Sequence, residues 1–566
     1  MAIINGTNGD DVRIGTPDND QIFGLLGNDR LFGLAGRDFL NGGEGNDLLD
    51  GGEGADELWA LAGDDRVFGG LGDDRIFGNA GDDNLMGEEG NDHVVGGGDD
   101  DRIFGNEGFD RLIGDAEFDM SSGTVGGDDR IFGNEGFDRL FGDAGFDLIG
   151  GAVGGNDRLF GGNDSDEMFG DAGGQISDAR GGNDRLIGGG GNDALFGDAL
   201  FALAGGSLGG DDVIDGNEGN DLVVGEAVDL LGGSVGGRDA LNGGNGNDQL
   251  FGDATTMSGV GGDDVLAGGD GKDGLTGDAN FMFETAVGGD DRLTGGNDND
   301  IIYGEGGGMV DASVGGDDRI WGDEAFSGPS GNDVIFGDAS GMYHNTIGGN
   351  DRVDGGAGND AIYGDAATMT GNSIGGDDNL FGGAGDDVLW GDAANFEDNS
   401  VAGDDFIDGG DGHDRIFGDY ESFNASFQGG NDRLFGGEGN DQLTGGEGDN
   451  WLDGGPGSDY LEAGTGDDRI IGGDGDDQLI DLGGNDIFEG GAGNDSIIDI
   501  RGEDFIDGGA GVDTAVYLGL VDDFTIEGGP GDEILVTENA SGDTDRLIDI
   551  EFLAFEHFIL DTSLIA

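Results

Sequence analysis

The sequence predicts an all-β chain: a parallel β-roll, that is, a right-handed β-solenoid wound from nonapeptides and closed by a small C-terminal β cap. Three observations carry that expectation. A nine-residue period runs in phase from Gly6 to Ile113. Its unit reads G-G-x-G-x-D-x-U-x with U large and apolar, as in GGEGNDLLD from Gly42 and GGLGDDRIF from Gly69. After Val516 the glycine rhythm gives way to apolar alternation. Self-similarity at a short fixed period is the mark of a stacked-repeat architecture.

The first block, 6–113, holds aspartate on the sixth position at Asp11, Asp20, Asp29, Asp38, Asp47, Asp56, Asp65, Asp74, Asp83, Asp92, Asp101 and Asp110. Glycine permits the left-handed backbone of a tight turn, and x-U-x then forms a short strand with U on one side and positions 7 and 9 on the other. Two units make a turn of about eighteen residues, and turns stack at the ~4.8 Å strand spacing with U residues meeting in a thin core.

In the second block, 114–426, two nonapeptides alternate with a divergent segment. Asp264, Asp291 and Asp318 mark a 27-residue superperiod, resumed by Asp351, Asp378, Asp405 and Asp432. The other sixth-position aspartates here are Asp129, Asp138, Asp147, Asp157, Asp166, Asp184, Asp193, Asp212, Asp221, Asp239, Asp248, Asp273, Asp300, Asp333, Asp360, Asp387 and Asp414. The divergent segments, such as GDATTMSGV from Gly252, lack that aspartate. They carry a mid-segment apolar residue (Met257, Met282, Met309, Met342, Met369) and another before the next G-G (Val260, Val287, Val314, Ile347, Ile374). Their length varies, GDEAFS ahead of Gly328 being short. Loops leaving the roll at one corner are expected, because a solenoid strand should not tolerate length changes. The alternative is metal-free strands, with one and a half turns per superrepeat.

The third block, 427–516, returns to plain nonapeptides, with Asp441, Asp459, Asp468, Asp477, Asp486, Asp495, Asp504 and Asp513 in phase after Asp432. Asn450 stands where an aspartate belongs, so a weak or empty site is expected there. Residues 517–566 alternate, as in DFTIEG and EILVTEN, and are expected to cap the open end of the roll.

The 566 residues include 136 glycines, 124 acidic and 22 basic side chains, for a formal charge of −102. Such self-repulsion leaves either an unfolded chain or one that binds many cations, and it argues against nucleic acid, whose phosphates need Lys and Arg. Carboxylates and main-chain carbonyls at fixed spacing are hard oxygen ligands, which suits Ca²⁺. At roughly one ion per unit, on the order of forty Ca²⁺ would neutralise most of the charge. With no cysteine there is neither a disulfide framework nor a thiolate site. The N-terminus MAIINGTNGDDV lacks the basic and apolar regions of a Sec signal, and no run of eighteen apolar residues exists to span a membrane.

The nonapeptide resembles that of the repeats-in-toxin (RTX) family, whose glycine-rich units bind Ca²⁺ in a parallel β-roll. The resemblance implies a roll of calcium-binding nonapeptides, with the sixth-position aspartates as ligands and the glycines giving carbonyl oxygens. The tail resembles the segment that follows RTX repeats, through Asp513, Thr514, Tyr517, Asp545, Arg546, Leu547, Ile550, Glu551, Leu553 and Phe555. By that resemblance it holds an uncleaved signal for a type I (ABC transporter) secretion channel, ending in Asp561, Thr562, Ser563, Leu564, Ile565 and Ala566. An extracellular protein, free or associated with the cell surface, is implied.

Two G-x-S-x-G matches, around Ser207 and Ser234, are chance in so glycine-rich a chain; His93, His344, His413 and His557 sit in no triad-like context. Position 7 is often arginine (Arg30, Arg66, Arg75, Arg102, Arg111, Arg130, Arg139, Arg158), expected to face outward in ion pairs with position-5 aspartates. Position 9 is often phenylalanine (Phe23, Phe32, Phe68, Phe77, Phe104, Phe132, Phe141, Phe160, Phe251, Phe336, Phe381, Phe417, Phe435), expected as an outward stripe under the arginine stems. With repeats beginning at Gly6, no segment of this chain is left for an enzyme domain. The expected role is a structural, surface-layer, matrix or adhesion protein, whose partners beyond calcium and the secretion machinery are its own copies, a polysaccharide or a cell surface. The alternative is a carbohydrate-binding or accessory module of a polysaccharide-modifying system.

Overall fold

The computed structural model describes residues 1–323, 331–397, 399–420, 422–423, 428–499, 501–531 and 533–565. Most of the GDEAFS segment ahead of Gly328, the block boundary at Phe427 and the final Ala566 lie outside the described residues. The chain forms two compact units, Met1–Arg292 and Leu293–Ala566.

In the first unit, every nonapeptide up to residue 107 from Gln21 onward builds one strand, and successive strands go to opposite faces. Leu48–Glu53 pairs in parallel with Arg30–Ala35 and Arg66–Leu71. Glu57–Ala62 pairs with Phe39–Glu44 and Arg75–Ala80 on the other face. These strands are six residues long rather than three, because the ladder continues from x-U-x into the first residues of the next unit, Gly51 and Gly52 in one and Ala60 and Leu61 in the other. At the bend that follows, Gly52 and Gly54 take φ of 101° and 144°, where a side chain would be strained. The U residues Leu31, Leu40, Leu49, Leu58, Val67 and Ile76 are fully buried between the faces.

From residue 116 a third parallel face appears. In the first unit Leu148–Ile149, Ile176–Ser177, Ala199–Ala204, Ala227–Leu230, Ala254–Met257 and Ala279–Met282 stack in parallel, with one register shift within Ala199–Ala204. In the second unit Met309–Val310, Met342–Tyr343, Ala366–Thr370 and Ala393–Phe396 do the same. The divergent segments are therefore strands and not free loops, and a superrepeat is one three-sided turn rather than one and a half. Length variation is tolerated because the segment leaves and returns at one corner. Turn-to-turn spacing is 28, 27 or 25 residues in the first unit, while the two original faces keep their register; in the second unit it is 27 or 33, the longer turns taking their extra residues between Arg319–Asp323 and Val334–Phe336. Met257, Met282, Met309, Met342 and Met369 point inward and are fully buried, whereas Val260, Val287, Ile347 and Ile374 are exposed.

The third face also corrects the outward stripe. In the first unit Phe141, Phe169 and Phe196, at position 9 of one original face, are buried with Leu200 and Val228 of third-face strands packed against them. In the second unit Phe336 and Trp390 stack on Tyr363 at centroid distances of 4.7 and 4.4 Å, and both are buried. On the opposite face the stripe stays half-buried: Phe132 stacks between Phe104 and Phe160 at 4.8 and 4.7 Å, with the Arg102 guanidinium 4.9 Å over Phe104. The position-7 arginines Arg139 and Arg469 pair with Glu167 and Glu489 rather than with position-5 aspartates. Position-5 side chains are occupied by the backbone instead, Asn28 Oδ1 accepting from Asn46 N at 3.1 Å and Asp128 Oδ1 from Asn156 N at 3.1 Å.

The second unit ends in the expected cap. Phe524–Gly528, Ile534–Glu538 and Thr544–Ile548 form an antiparallel meander. Its last strand adds in parallel to Phe505–Gly511, and Phe552–Phe555 adds to Thr514–Tyr517, covering both open edges. Among the described residues no helix is long and apolar enough to cross a membrane.

Candidate metal centres along the roll

The sixth-position aspartates stand in two columns, one at each bend of the roll. Each uses one carboxylate oxygen to hold the previous turn: Asp65 Oδ1 accepts from Asp47 N at 2.5 Å and Asp83 Oδ1 from Asp65 N at 2.7 Å. The backbone carbonyl holds the next turn, Asp47 O accepting from Arg66 N at 2.9 Å. The pattern persists across the longer turns, from Asp101 N to Asp129 Oδ1 at 2.7 Å and from Asp333 N to Asp360 Oδ1 at 2.8 Å.

The second oxygen is the informative one. At Asp29, Asp47, Asp65, Asp83, Asp129, Asp157, Asp212 and Asp239 in the first unit, and at Asp333, Asp360, Asp378, Asp414, Asp441 and Asp459 in the second, Oδ2 is buried and accepts no hydrogen bond. Leaving a buried carboxylate oxygen unpaired costs several kcal/mol unless a cation or proton meets it. Burial, then crowding by Asp83 and Asp47, pushes Asp65 up to about 8. Burial, then Asp129, pushes Asp101 up to about 10. The space beside these oxygens is kept by glycine: a methyl on Gly51 would come within 2.6 Å of Asp56 Oδ2 and 2.5 Å of Gly69 O. The bends at these positions thus present an unpaired carboxylate oxygen beside main-chain carbonyls of the adjacent turn, the donor set of a hard divalent cation.

Compared with known protein families, the chain matches the RTX calcium-binding nonapeptide repeat (4 copies) over residues 5–40, 14–49, 41–76, 77–112, 124–154, 152–174, 176–199, 208–229, 235–255, 285–308, 347–367, 374–395, 401–419, 428–461, 453–480, 462–497 and 481–515. These matches span more than half of the chain. The chain belongs to the RTX calcium-binding repeat family. A search of curated proteins finds no matching relative. The RTX roll implies Ca²⁺, and the unpaired oxygens fit it; Asp47, Asp65 and their column mates would hold the ion together with glycine carbonyls.

Four positions depart from the column. Asp147 is only half-buried and lies at the start of the third-face strand Leu148–Ile149, where its Oδ1 accepts from Gln175 N at 3.0 Å. It therefore stands apart from the other sixth-position aspartates, because its nonapeptide-like stretch crosses the third face instead of rounding a bend. Asp11 and Asp20 have Oδ2 occupied by hydroxyls, from Thr7 at 2.9 Å and Thr16 at 2.8 Å. Backbone donors, Thr7 N and Ala2 N respectively, hold both carboxyls below their usual range. Asn450 keeps the column bond, Oδ1 accepting from Asp432 N at 2.8 Å, while Nδ2 reaches Ala463 O at 3.4 Å. An N–H donor there occupies the place a cation would take.

The roles of several acidic groups escaped the sequence reading. The columns end on cap residues: Asp545 Oδ1 accepts from Asp504 N at 3.2 Å and Glu551 Oε2 from Asp513 N at 2.8 Å, so each stands in for the next turn's aspartate. Asp481, on a position usually glycine, lies with Asp468 and Asp486 in a group whose ligand atoms are all within 4.8 Å. Each third-face segment after the first, which opens on the half-buried Asp115, also begins with a buried acid after glycine. These are Asp143, Asp171, Asp198, Glu226, Asp253 and Asp278 in the first unit, and Glu305, Asp338, Asp365, Asp392 and Asp419 in the second. The recurring G-D-A was the available signal for them. Neither G-x-S-x-G serine resembles a nucleophile elbow; Ser207 is buried with Oγ on Ala204 O at 2.6 Å and Ile176 O at 3.1 Å.

Proposed function

We propose that the chain is a secreted, non-enzymatic RTX protein that leaves the cell unfolded through a type I channel, folds on Ca²⁺ outside and acts as a structural, surface-layer, matrix or adhesion element. Calcium-linked folding suits export of an extended chain, since a roll whose sites fill only at millimolar Ca²⁺ stays unfolded in a calcium-poor cytosol. The observation that carries the structural role is an exposed apolar row on the edge of the third face. In the first unit Leu208, Val260 and Val287 are 47%, 40% and 39% exposed. Backbone bridges link Leu208 to Val235, Val235 to Val260 and Val260 to Val287. A contiguous apolar row on a strongly acidic surface marks a contact surface. The test is fractionation of producing cells with and without EDTA, beside a variant truncated before residue 517. The reading expects full-length chain on the cell surface or in the matrix, released by EDTA, and truncated chain retained inside. Full-length chain confined to the cytosol would overturn it.

A second reading, a carbohydrate-binding or accessory module, rests on the half-buried Phe104–Phe132–Phe160 stack with arginine over it, a flat apolar surface flanked by cations of the kind that binds sugar rings. Saturable binding to one polysaccharide, lost on Phe132→Ala, supports it; ordered self-assembly with no such binding supports the first.

A further inference from the structure

Where a third-face segment leaves and rejoins the roll, its two ends close a neck. The departing acid is held by the returning glycine: Gly155 N donates to both oxygens of Asp143 at 3.0 Å, and Gly182 N to those of Asp171 at 3.0 and 3.1 Å. In the second unit Gly376 N donates to Asp365 Oδ1 at 2.9 Å. One N–H is a small ration for a carboxylate that can accept about four hydrogen bonds. Asp198 Oδ2 in the first unit and Asp338, Asp365 and Asp392 Oδ2 in the second are fully buried with no hydrogen-bond partner.

These oxygens point at one another. A methyl on Gly154 would strike Asp171 Oδ1 and come within 2.7 Å of Asp143 Oδ2; one on Gly181 would strike Asp198 Oδ1 and come within 2.7 Å of Asp171 Oδ2. Consecutive neck carboxylates therefore face each other across the first returning glycine. The sixth-position row is adjacent, Asp157 being acted on by Asp143 and Asp212 by Asp198. Every neck from Asp115 to Asp419 carries a carboxylate, with Glu226 and Glu305 replacing aspartate and never an amide. Asparagine would accept the same glycine N–H, so the hydrogen bond alone does not account for the charge. Like charges this close and this buried require a cation or shared protons between them.

We propose that the neck carboxylates are a second row of divalent-cation ligands, each neck holding Ca²⁺ between its own carboxylate and that of the next turn, beside the sixth-position row. This deepens the calcium reading of the roll and rests on it. The necks would then anchor the third face to the roll only when calcium is present.

The test uses the full chain with Asp143→Asn, Asp171→Asn and Asp198→Asn together, amides that keep the glycine hydrogen bonds. Bound calcium is counted by equilibrium dialysis, and calcium is located in crystals of the parent protein by long-wavelength anomalous scattering. The expected results are a loss of about three ions and anomalous peaks between successive neck carboxylates. An unchanged ion count, or peaks confined to the sixth-position columns, overturns the proposal and leaves shared protons at the necks. Should the triple variant fail to fold, the anomalous map of the parent decides alone. A parent that binds no calcium anywhere defeats the calcium reading itself, an outcome distinct from empty necks in a loaded roll.

Discussion

Asn450→Asp should convert the one amide in the sixth-position columns into a calcium site, with an effect whose sign depends on calcium. The space is already shaped for it. A methyl on Gly445 would come within 2.8 Å of Asn450 Nδ2, as one on Gly436 would come within 2.7 Å of Asp441 Oδ2 in the other column. With the site empty, the change replaces the Nδ2 donor on Ala463 O, at 3.4 Å, with a buried unpaired carboxylate oxygen, at a cost of about 1–3 kcal/mol. With Ca²⁺ at 1 mM and a site Kd near 10⁻⁴ M, a filled site contributes about 1.4 kcal/mol, tenfold in a local opening equilibrium. The assay is hydrogen exchange by mass spectrometry on peptides covering 445–470, parent beside variant. Between the lowest calcium that keeps the roll folded and saturation, exchange in these peptides should slow about tenfold more in the variant than in the parent. The same slowing in both chains would refute the assignment of the column aspartates as ligands.

Glu551→Ala removes the acceptor of Asp513 N at the end of one column; a cost of about 1 kcal/mol is expected, read as faster exchange in 496–517 with little change before residue 460. Phe169→Ala opens a cavity in the stack formed with Phe141 and Phe196, ring centroids 5.3 and 5.4 Å away, and should lower stability in calcium by about 3–5 kcal/mol in chemical denaturation, whereas Phe132→Ala on the half-buried stripe should cost less. The metal-free roll should respond to pH in the sense set by its raised carboxyls. Burial lifts Asp47 and Asp56 to about 6, Asp83 and Asp92 to about 7, and Asp65 and Asp74 to about 8. A fold that binds protons more tightly than the unfolded chain is most stable below the unfolded carboxyl range and loses that stability as pH rises through about 6 to 8. The hydrodynamic radius in EDTA should therefore be smaller at pH 5 than at pH 8.5, and calcium binding at pH 7 should release protons, measurable in weakly buffered solution.

Much of the fold was legible because the nonapeptide is a physical unit: glycine at the bend, one apolar residue per strand, one acid per bend. Leu49 and Leu58 are core and Asp47 and Asp56 are buried, as the period implies. The third face was misread because variable length was taken to exclude strands. The structure keeps register at the neck and absorbs the variation farther out, so a turn of 25 residues stacks on one of 27. Asp147 followed the spacing but not the bend, since phase alone cannot tell a bend from a face. Asp143 and its counterparts were missed because a single acid in G-D-A looks like turn chemistry until burial shows its oxygens facing the next turn's. The family motif at Asp545 and Glu551 could be recognised as letters, while its role in ending the two columns needed coordinates.

The central claim is that calcium makes this chain a roll. The most direct test is a calcium titration of the EDTA-stripped full chain at pH 7.5, following circular dichroism and hydrodynamic radius together, with magnesium as control. The account predicts a cooperative coil-to-β transition near millimolar Ca²⁺ with sharp compaction and no response to Mg²⁺. A chain already compact in EDTA at that pH, or one still expanded in excess Ca²⁺, would contradict it.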